Sequence, residues 1–181
     1  MSGSLILVAG RSGAGKTTLI QAAVQRLPQL ELLRLTTTRP RRPGEVDGLE
    51  HVFVDAATYE ARRAAAGSWD HMEHHGHFYG ADTDAIKAQL RQGIHIISTV
   101  PPDLRAVRLL EATYRVSAIT IWLEVSSEVA ASRIVGDQLR LARSETDAAK
   151  SDFQQMFQPQ GVLADDQRAF AAFIQALLPQ P

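Results

Sequence analysis

Eight consecutive residues constrain this chain more than any other stretch. Gly10-Arg11-Ser12-Gly13-Ala14-Gly15-Lys16-Thr17 satisfies the pattern G-x-x-x-x-G-K-[ST] in full. The stretch follows the apolar run Leu5-Ile6-Leu7-Val8-Ala9 and precedes Leu19, Ile20, Ala23, Val24 and Leu27, which recur at helical spacing up to Pro28. An unbroken apolar run suits a strand covered on both faces, so the order is buried strand, tight loop, helix. Glycines let such a loop curl until its backbone N–H groups point at phosphate oxygens, and the helix amino end adds positive partial charge. Gly10, Ser12, Gly13, Ala14 and Gly15 are therefore expected to form a cradle for a nucleoside triphosphate. Lys16 is expected to bridge its β- and γ-phosphates, the Thr17 hydroxyl to ligate Mg²⁺, and Thr18 to support the α-phosphate side.

The remainder alternates helical and extended signals. Leu32 to Leu35 and Val52 to Val54 predict short strands, and Ala56 to Ala66 and Asp84 to Arg91 predict helices closed by Gly67 and Gly93. Ile94 to Val100 and Ala118 to Leu123 predict further buried strands on either side of a helical stretch after Pro101-Pro102. Ser127 to Lys150 reads as mostly helical with a break at Gly136, and the last helix sets Phe170, Phe173, Ile174, Leu177 and Leu178 on a core-facing stripe. This alternation predicts an α/β class: a right-handed, doubly wound parallel sheet with its ligand at the carboxyl ends of the strands.

At 181 residues the chain fits one compact domain with room for a small insertion. A balance of 19 Lys+Arg against 20 Asp+Glu argues against a general electrostatic grip on nucleic acid. No apolar run is long enough to span a bilayer, and Met1-Ser2-Gly3-Ser4 lacks a cationic leader, so a cytoplasmic protein without a membrane partner is expected. The absence of Cys removes disulfides and thiolate metal sites. Nothing in the sequence signals an oligomeric state.

A phosphate cradle does not name the acceptor; a second motif speaks to it. Thr37-Thr38-Arg39-Pro40-Arg41-Arg42-Pro43-Gly44-Glu45, within a segment Thr36 to Gly48 read as an exposed basic loop, holds three guanidinium groups stiffened by two prolines. Arginine forks match phosphate oxygens bidentately, so this loop suits a small phosphate-bearing acceptor.

Together these motifs resemble the guanylate kinase family of nucleoside monophosphate kinases. The resemblance covers most of the chain and is strongest from Leu5 to Phe53. Thr37 to Gly48 is similar to the family's acceptor-phosphate segment, and His75-Gly76-His77-Phe78-Tyr79-Gly80 to a later segment whose tyrosine meets the same phosphate. The resemblance implies a three-layer P-loop NTPase fold with a parallel sheet, an acceptor-binding subdomain at about 36–92 and a short lid at about 133–143. It implies ATP and Mg²⁺ as cofactors and transfer of the γ-phosphoryl to a nucleoside monophosphate, GMP first. By likeness, Arg39, Arg42, His51 and Tyr79 bind the acceptor phosphate, Asp70 reads the base, Asp165 lies near the donor adenine, and Arg133 and Arg140, with Arg143, neutralise charge on the transferred group.

Three departures accompany the likeness. His51 stands where the family has a tyrosine, and Ala81 where it has a small hydroxyl residue. Ile94 to Val100 runs into Pro101-Pro102 without the family's two aspartates. Ribose 1,5-bisphosphate phosphokinases share the scaffold, the Glu50-His51 pair and that missing acidic pair, and remain an alternative, as does a nucleotide-binding scaffold without catalysis. His71, His74, His75 and His77 raise the question of a metal, but the glycine and aromatics among them favour strand and loop with histidines in the pocket or at the surface.

Overall fold

The computed structural model describes residues 2–42, 44–49, 51–74, 76–101, 104–133 and 147–179. Strand β1 (Leu5–Gly10) is its centre, with every residue buried. It pairs in parallel with β7 (His95–Thr99) on one side and β8 (Ala118–Leu123) on the other. β2 (Leu30–Leu32) and β9 (Gln155–Phe157) complete a five-stranded parallel sheet in the order β2-β7-β1-β8-β9.

The continuous apolar run of β1 is explained by what covers it. Ile6 and Val8 face a cluster with Leu19, Ile20 and Ala23 of α1 (Lys16–Arg26) and Phe170 and Ile174 of α6 (Leu163–Leu177). Leu5, Leu7 and Ala9 face the opposite cluster, with Ile86 and Leu90 of α3 (Thr83–Arg91) and Val107 and Tyr114 of α4 (Leu104–Tyr114). Alternate side chains thus enter two cores, giving three layers of helix, sheet and helix. The predicted stripe on the last helix sits in the first of these cores.

A second sheet, order β4-β3-β6-β5, is built from Thr36–Thr37 (β3), Val52–Phe53 (β4), Trp69–His74 (β5) and His77–Asp82 (β6). α2 (Ala56–Ala65) lies between β4 and β5 in the chain. β3 runs parallel to β4 and antiparallel to β6, which is antiparallel to β5. Here the expectation of an exposed loop from Thr36 to Gly48 needs correction, because Thr36 and Thr37 are buried and pair with Gly80 and Tyr79. Threonine fits a pleated surface, but partners more than forty residues away are invisible to local patterning. The predicted strand Leu32 to Leu35 is likewise set earlier, at Leu30–Leu32, where β7 offers its edge.

The second sheet is locked from beneath by Tyr59 of α2. The Tyr59 hydroxyl donates to the Tyr79 carbonyl at 2.8 Å, accepts from Trp69 Nε1 at 3.1 Å and lies 3.0 Å from His71 Nδ1. Only glycine fits at position 80: a Cβ there would overlap the Asp70 carbonyl and Trp69 Nε1 and stand 2.6 Å from the Tyr59 hydroxyl. α5 (Ser127–Ser132) follows β8, and a 3-10 segment spans Asp147–Asp152. The rest of the predicted helical stretch from Ser127 to Lys150, and most of the lid at 133–143, lies outside the described residues. Among the described residues no helix is long and apolar enough to cross a membrane.

Candidate functional site

The turn after β1 leaves the sheet at its carboxyl edge. Gly10 has φ 144, and a Cβ there would lie 2.7 Å from the Leu123 carbonyl oxygen, so the loop starts where a side chain cannot. α1 begins at Lys16 behind Gly15, which supplies no side-chain cap, so no side chain at the cap position satisfies the first N–H groups. Lys16 Nζ donates to the carbonyls of Gly10 at 2.8 Å and Arg11 at 2.9 Å, drawing the ammonium back across the loop. Arg133, following α5, reaches the same loop from the far side of the sequence, its Nη1 3.4 Å from the Ala14 carbonyl.

The basic loop is ordered by one carboxylate that sequence reasoning assigned no role. Glu45 accepts two hydrogen bonds from the Arg39 guanidinium, at 2.9 and 3.0 Å, and a third from the Arg42 backbone N–H at 2.8 Å. Arg39 also donates to the Pro40 carbonyl at 2.9 Å and lies 5.3 Å from the centre of the Phe53 ring. Burial works against the charge on Arg39, but Glu45 outweighs it and raises the pKa. The same burial on Glu45 is outweighed by Arg39 and the Arg42 N–H, so its pKa falls. A Glu three residues past the motif's last arginine was the available signal; its meaning needed the bend that returns it to Arg39.

A cavity of about 620 Å³ joins these two motifs. Gly10, Arg11, Ser12, Lys16 and Thr17 line it from the cradle, and Arg39, Arg42, His51, Asp70 and Tyr79 from the second sheet and its basic loop. Ser98 and Thr99, at the carboxyl end of β7, also line it. His51 stacks on Phe53, with ring centroids 5.8 Å apart, and meets Tyr79 edge-on at 5.9 Å. Asp70 supplies the only carboxylate among these lining residues; burial raises its pKa, while a hydrogen bond at 3.2 Å from the Tyr114 hydroxyl opposes that rise.

Not every expected residue lies there. Gly13, Ala14 and Gly15 complete the loop without lining the cavity, and Thr18 is exposed on α1 outside it. Asp165 is exposed, ion-paired with Arg168 and outside the cavity, whereas its neighbour Asp166 is buried and accepts from the N–H groups of Gln160 and Gly161. Arg140 and Arg143 fall outside the described residues. Of the clustered histidines, His71 is bound to Tyr59 and His77 lines the cavity, while His75 is not described. Among the described residues no group of three or more His, Cys, Asp or Glu could hold a metal ion. Thr17, whose hydroxyl is a hard oxygen donor of the kind Mg²⁺ takes, nevertheless lines the cavity beside the glycine loop.

Comparison with known proteins accords with this geometry. The family model for guanylate kinase matches residues 2–171. The chain belongs to the guanylate kinase family. Guanylate kinases are ATP-dependent kinases whose acceptor is a nucleoside monophosphate. The guanylate kinase of Nitrosococcus oceani is 35% identical over 148 residues, covering 82% of this chain and 70% of that one. That of Chlorobium chlorochromatii is 33% identical over 149 residues, covering 82% and 75%. A shorter match to the Aromatoleum aromaticum guanylate kinase, 42% identical over 97 residues, covers 54% of this chain and 48% of its relative. The crystal structure of guanylate kinase from Anaplasma phagocytophilum superposes with a TM-score of 0.67 over 99% of this chain and 88% of that one; at 19% identity it speaks to the fold alone. The ribose 1,5-bisphosphate reading finds no support in these guanylate kinase matches.

Proposed function

We propose that this protein transfers the γ-phosphoryl of ATP to the phosphate of GMP. The observation that carries the reading is that Lys16 and Thr17 line the same cavity as Arg39, Arg42 and Tyr79. In-line transfer between two phosphates needs positioning and charge neutralisation rather than a nucleophilic side chain. Backbone amides of Gly10 to Gly15, with Ser12, hold the donor phosphates, and Lys16 leaves its carbonyl partners to bridge the β- and γ-phosphates. Thr17 would hold Mg²⁺, which would supply charge neutralisation during phosphoryl transfer. Thr18 and Asp165 belong to the outer donor site. Arg39, Arg42, His51 and Tyr79 grip the acceptor phosphate, and Asp70 meets the base. Arg133 already sits at the Ala14 carbonyl, from which a side-chain rotation would set it against the transferred group; the same role is proposed for Arg140, which lies outside the described residues.

The end of β7 offers Ser98 and Thr99 rather than carboxylates, so acidic recognition of the base falls on Asp70. A site that hydrogen-bonds its substrate rejects analogues that leave its buried polar groups unpaired. The test is ADP release and product identification with Mg-ATP and GMP, dGMP, AMP, CMP or UMP. Turnover with GMP well above AMP is expected; silence with every nucleotide would count against catalysis and favour a binding scaffold.

A further inference from the structure

Asp70 stands out as a half-buried carboxylate that lines the acceptor cavity and has one described side-chain partner for its two oxygens. It comes from β5 in the second sheet, yet its one described side-chain partner comes from the other half of the molecule: Tyr114, the last residue of α4. The Tyr114 hydroxyl donates to Asp70 Oδ2 at 3.2 Å across 44 residues of sequence. Tyr114 is 2% exposed and packs in the cluster beneath β1, so its ring cannot turn to another partner without opening the core. Ala106, Leu109 and Leu110 of the same helix line the cavity, so α4 both walls the base end of the pocket and ties down the acid within it.

We infer that Tyr114 is a positioning residue for acceptor recognition: its hydroxyl pins one oxygen of Asp70 and so turns the other toward an N–H-bearing edge of the acceptor base. This rests on the kinase reading above and deepens it. A carboxylate on a short side chain has two rotatable bonds, and fixing one oxygen removes freedom that binding would otherwise have to remove. The hydrogen bond also favours the charged, accepting form of Asp70 against the desolvation that disfavours it. Burial raises the Tyr114 pKa, so the phenol stays a donor throughout the working range. The other charged or titratable groups of the cavity are Arg11, Lys16, Arg39, Arg42, His51, His77 and Tyr79, with His71 next to Asp70 on β5. All are shared by wild type and variant, so a difference between the two reports on the pair.

The experiment compares wild type, Tyr114→Phe, Asp70→Asn and the double variant by GMP binding in calorimetry and by steady-state kinetics across pH. Tyr114→Phe is expected to weaken GMP binding and raise its KM about tenfold, the size of a lost hydrogen bond to a charged group. The ATP KM and kcat should stay within about twofold. Because Asp70 loses the donor that favours its charged form, the acid limb of kcat/KM for GMP moves to higher pH, which loss of packing alone would not cause. In the Asp70→Asn background, removing the hydroxyl should change GMP affinity little. This comparison also holds if Tyr114→Phe alone fails to fold, since the double variant leaves no carboxylate without its donor. Unchanged GMP affinity and acid limb in Tyr114→Phe, or a full tenfold loss on adding it to Asp70→Asn, overturns the inference. Wild type that binds GMP without turnover sinks the kinase reading alone, with the affinities still deciding Tyr114; wild type that does not bind GMP sinks both.

Discussion

On the proposed reading, the donor and acceptor ends of the cavity are built on opposite plans. The cradle is a backbone device: its residues are consecutive and anchored to the most buried strand of the protein, and they have glycine where a side chain would intrude. The acceptor end is a side-chain device, assembled from Arg39, Arg42, His51, Asp70 and Tyr79 and held by supports at Glu45, Tyr59 and Tyr114. A backbone site tolerates change around it but not within it. A side-chain site can be retuned residue by residue; of the departures from the family pattern, His51 and the acid-free end of β7 line the cavity, while Ala81 lies in the core.

Substitutions at the two ends should therefore fail differently. The largest effect is expected from Lys16→Ala, with kcat falling at least about 10³-fold while the fold is kept, because the lost charge acts where negative charge develops. A stopped assay with saturating GMP checks it; near wild-type turnover would remove the contrast altogether. Next comes Gly80→Ala, which forces a methyl group into the Asp70 backbone and should cost about 3 kcal/mol, read as a lower melting temperature with loss of acceptor binding.

Arg39→Ala or Arg42→Ala should raise the GMP KM by roughly ten- to a hundredfold and leave the ATP KM unchanged, since charge-assisted pairs contribute about 1.5–3 kcal/mol. Equal effects on both substrates would show that the two ends are not separable. Asp70→Asn provides a smaller and pH-dependent effect. Its raised pKa means the folded protein holds that proton more tightly than the unfolded chain, so the stability it lends is present at low pH and lost as pH rises through the folded value. The variant should thus melt a few degrees above wild type near neutral pH, with the gap closing on acidification. Smallest of all, Asp165→Ala should stay within about 0.5 kcal/mol of wild type because its ion pair is exposed, while Asp166→Ala loses a buried cap and costs about 2 kcal/mol. Thermal melts of the pair settle which of the adjacent aspartates holds the loop before α6.

Much of the donor end was legible before any coordinates. The eight-residue motif, its strand and its helix are contiguous, so local spacing carries their geometry, and the parallel sheet followed from alternating apolar runs. At the other end the sequence pointed to residues that do line the cavity, Arg39, Arg42 and Tyr79, but not to their supports. Nothing in the chain near Thr36 announces that it pairs with Gly80, and nothing near Asp70 points to Tyr114. β9 escaped notice because three residues at a sheet edge carry too little pattern, and the order Asp165-Asp166 gave no reason to choose the buried one.

The sequence by itself determined the glycine loop between β1 and α1, because a curled backbone loop is specified by neighbours in the chain. Only the tertiary structure decided how the second site is held: Glu45 folded back on Arg39, Tyr59 beneath β6 and Tyr114 reaching across to Asp70. Those supports are contacts between side chains far apart in sequence, and their energies depend on burial and distance, quantities that exist only after the chain has closed on itself.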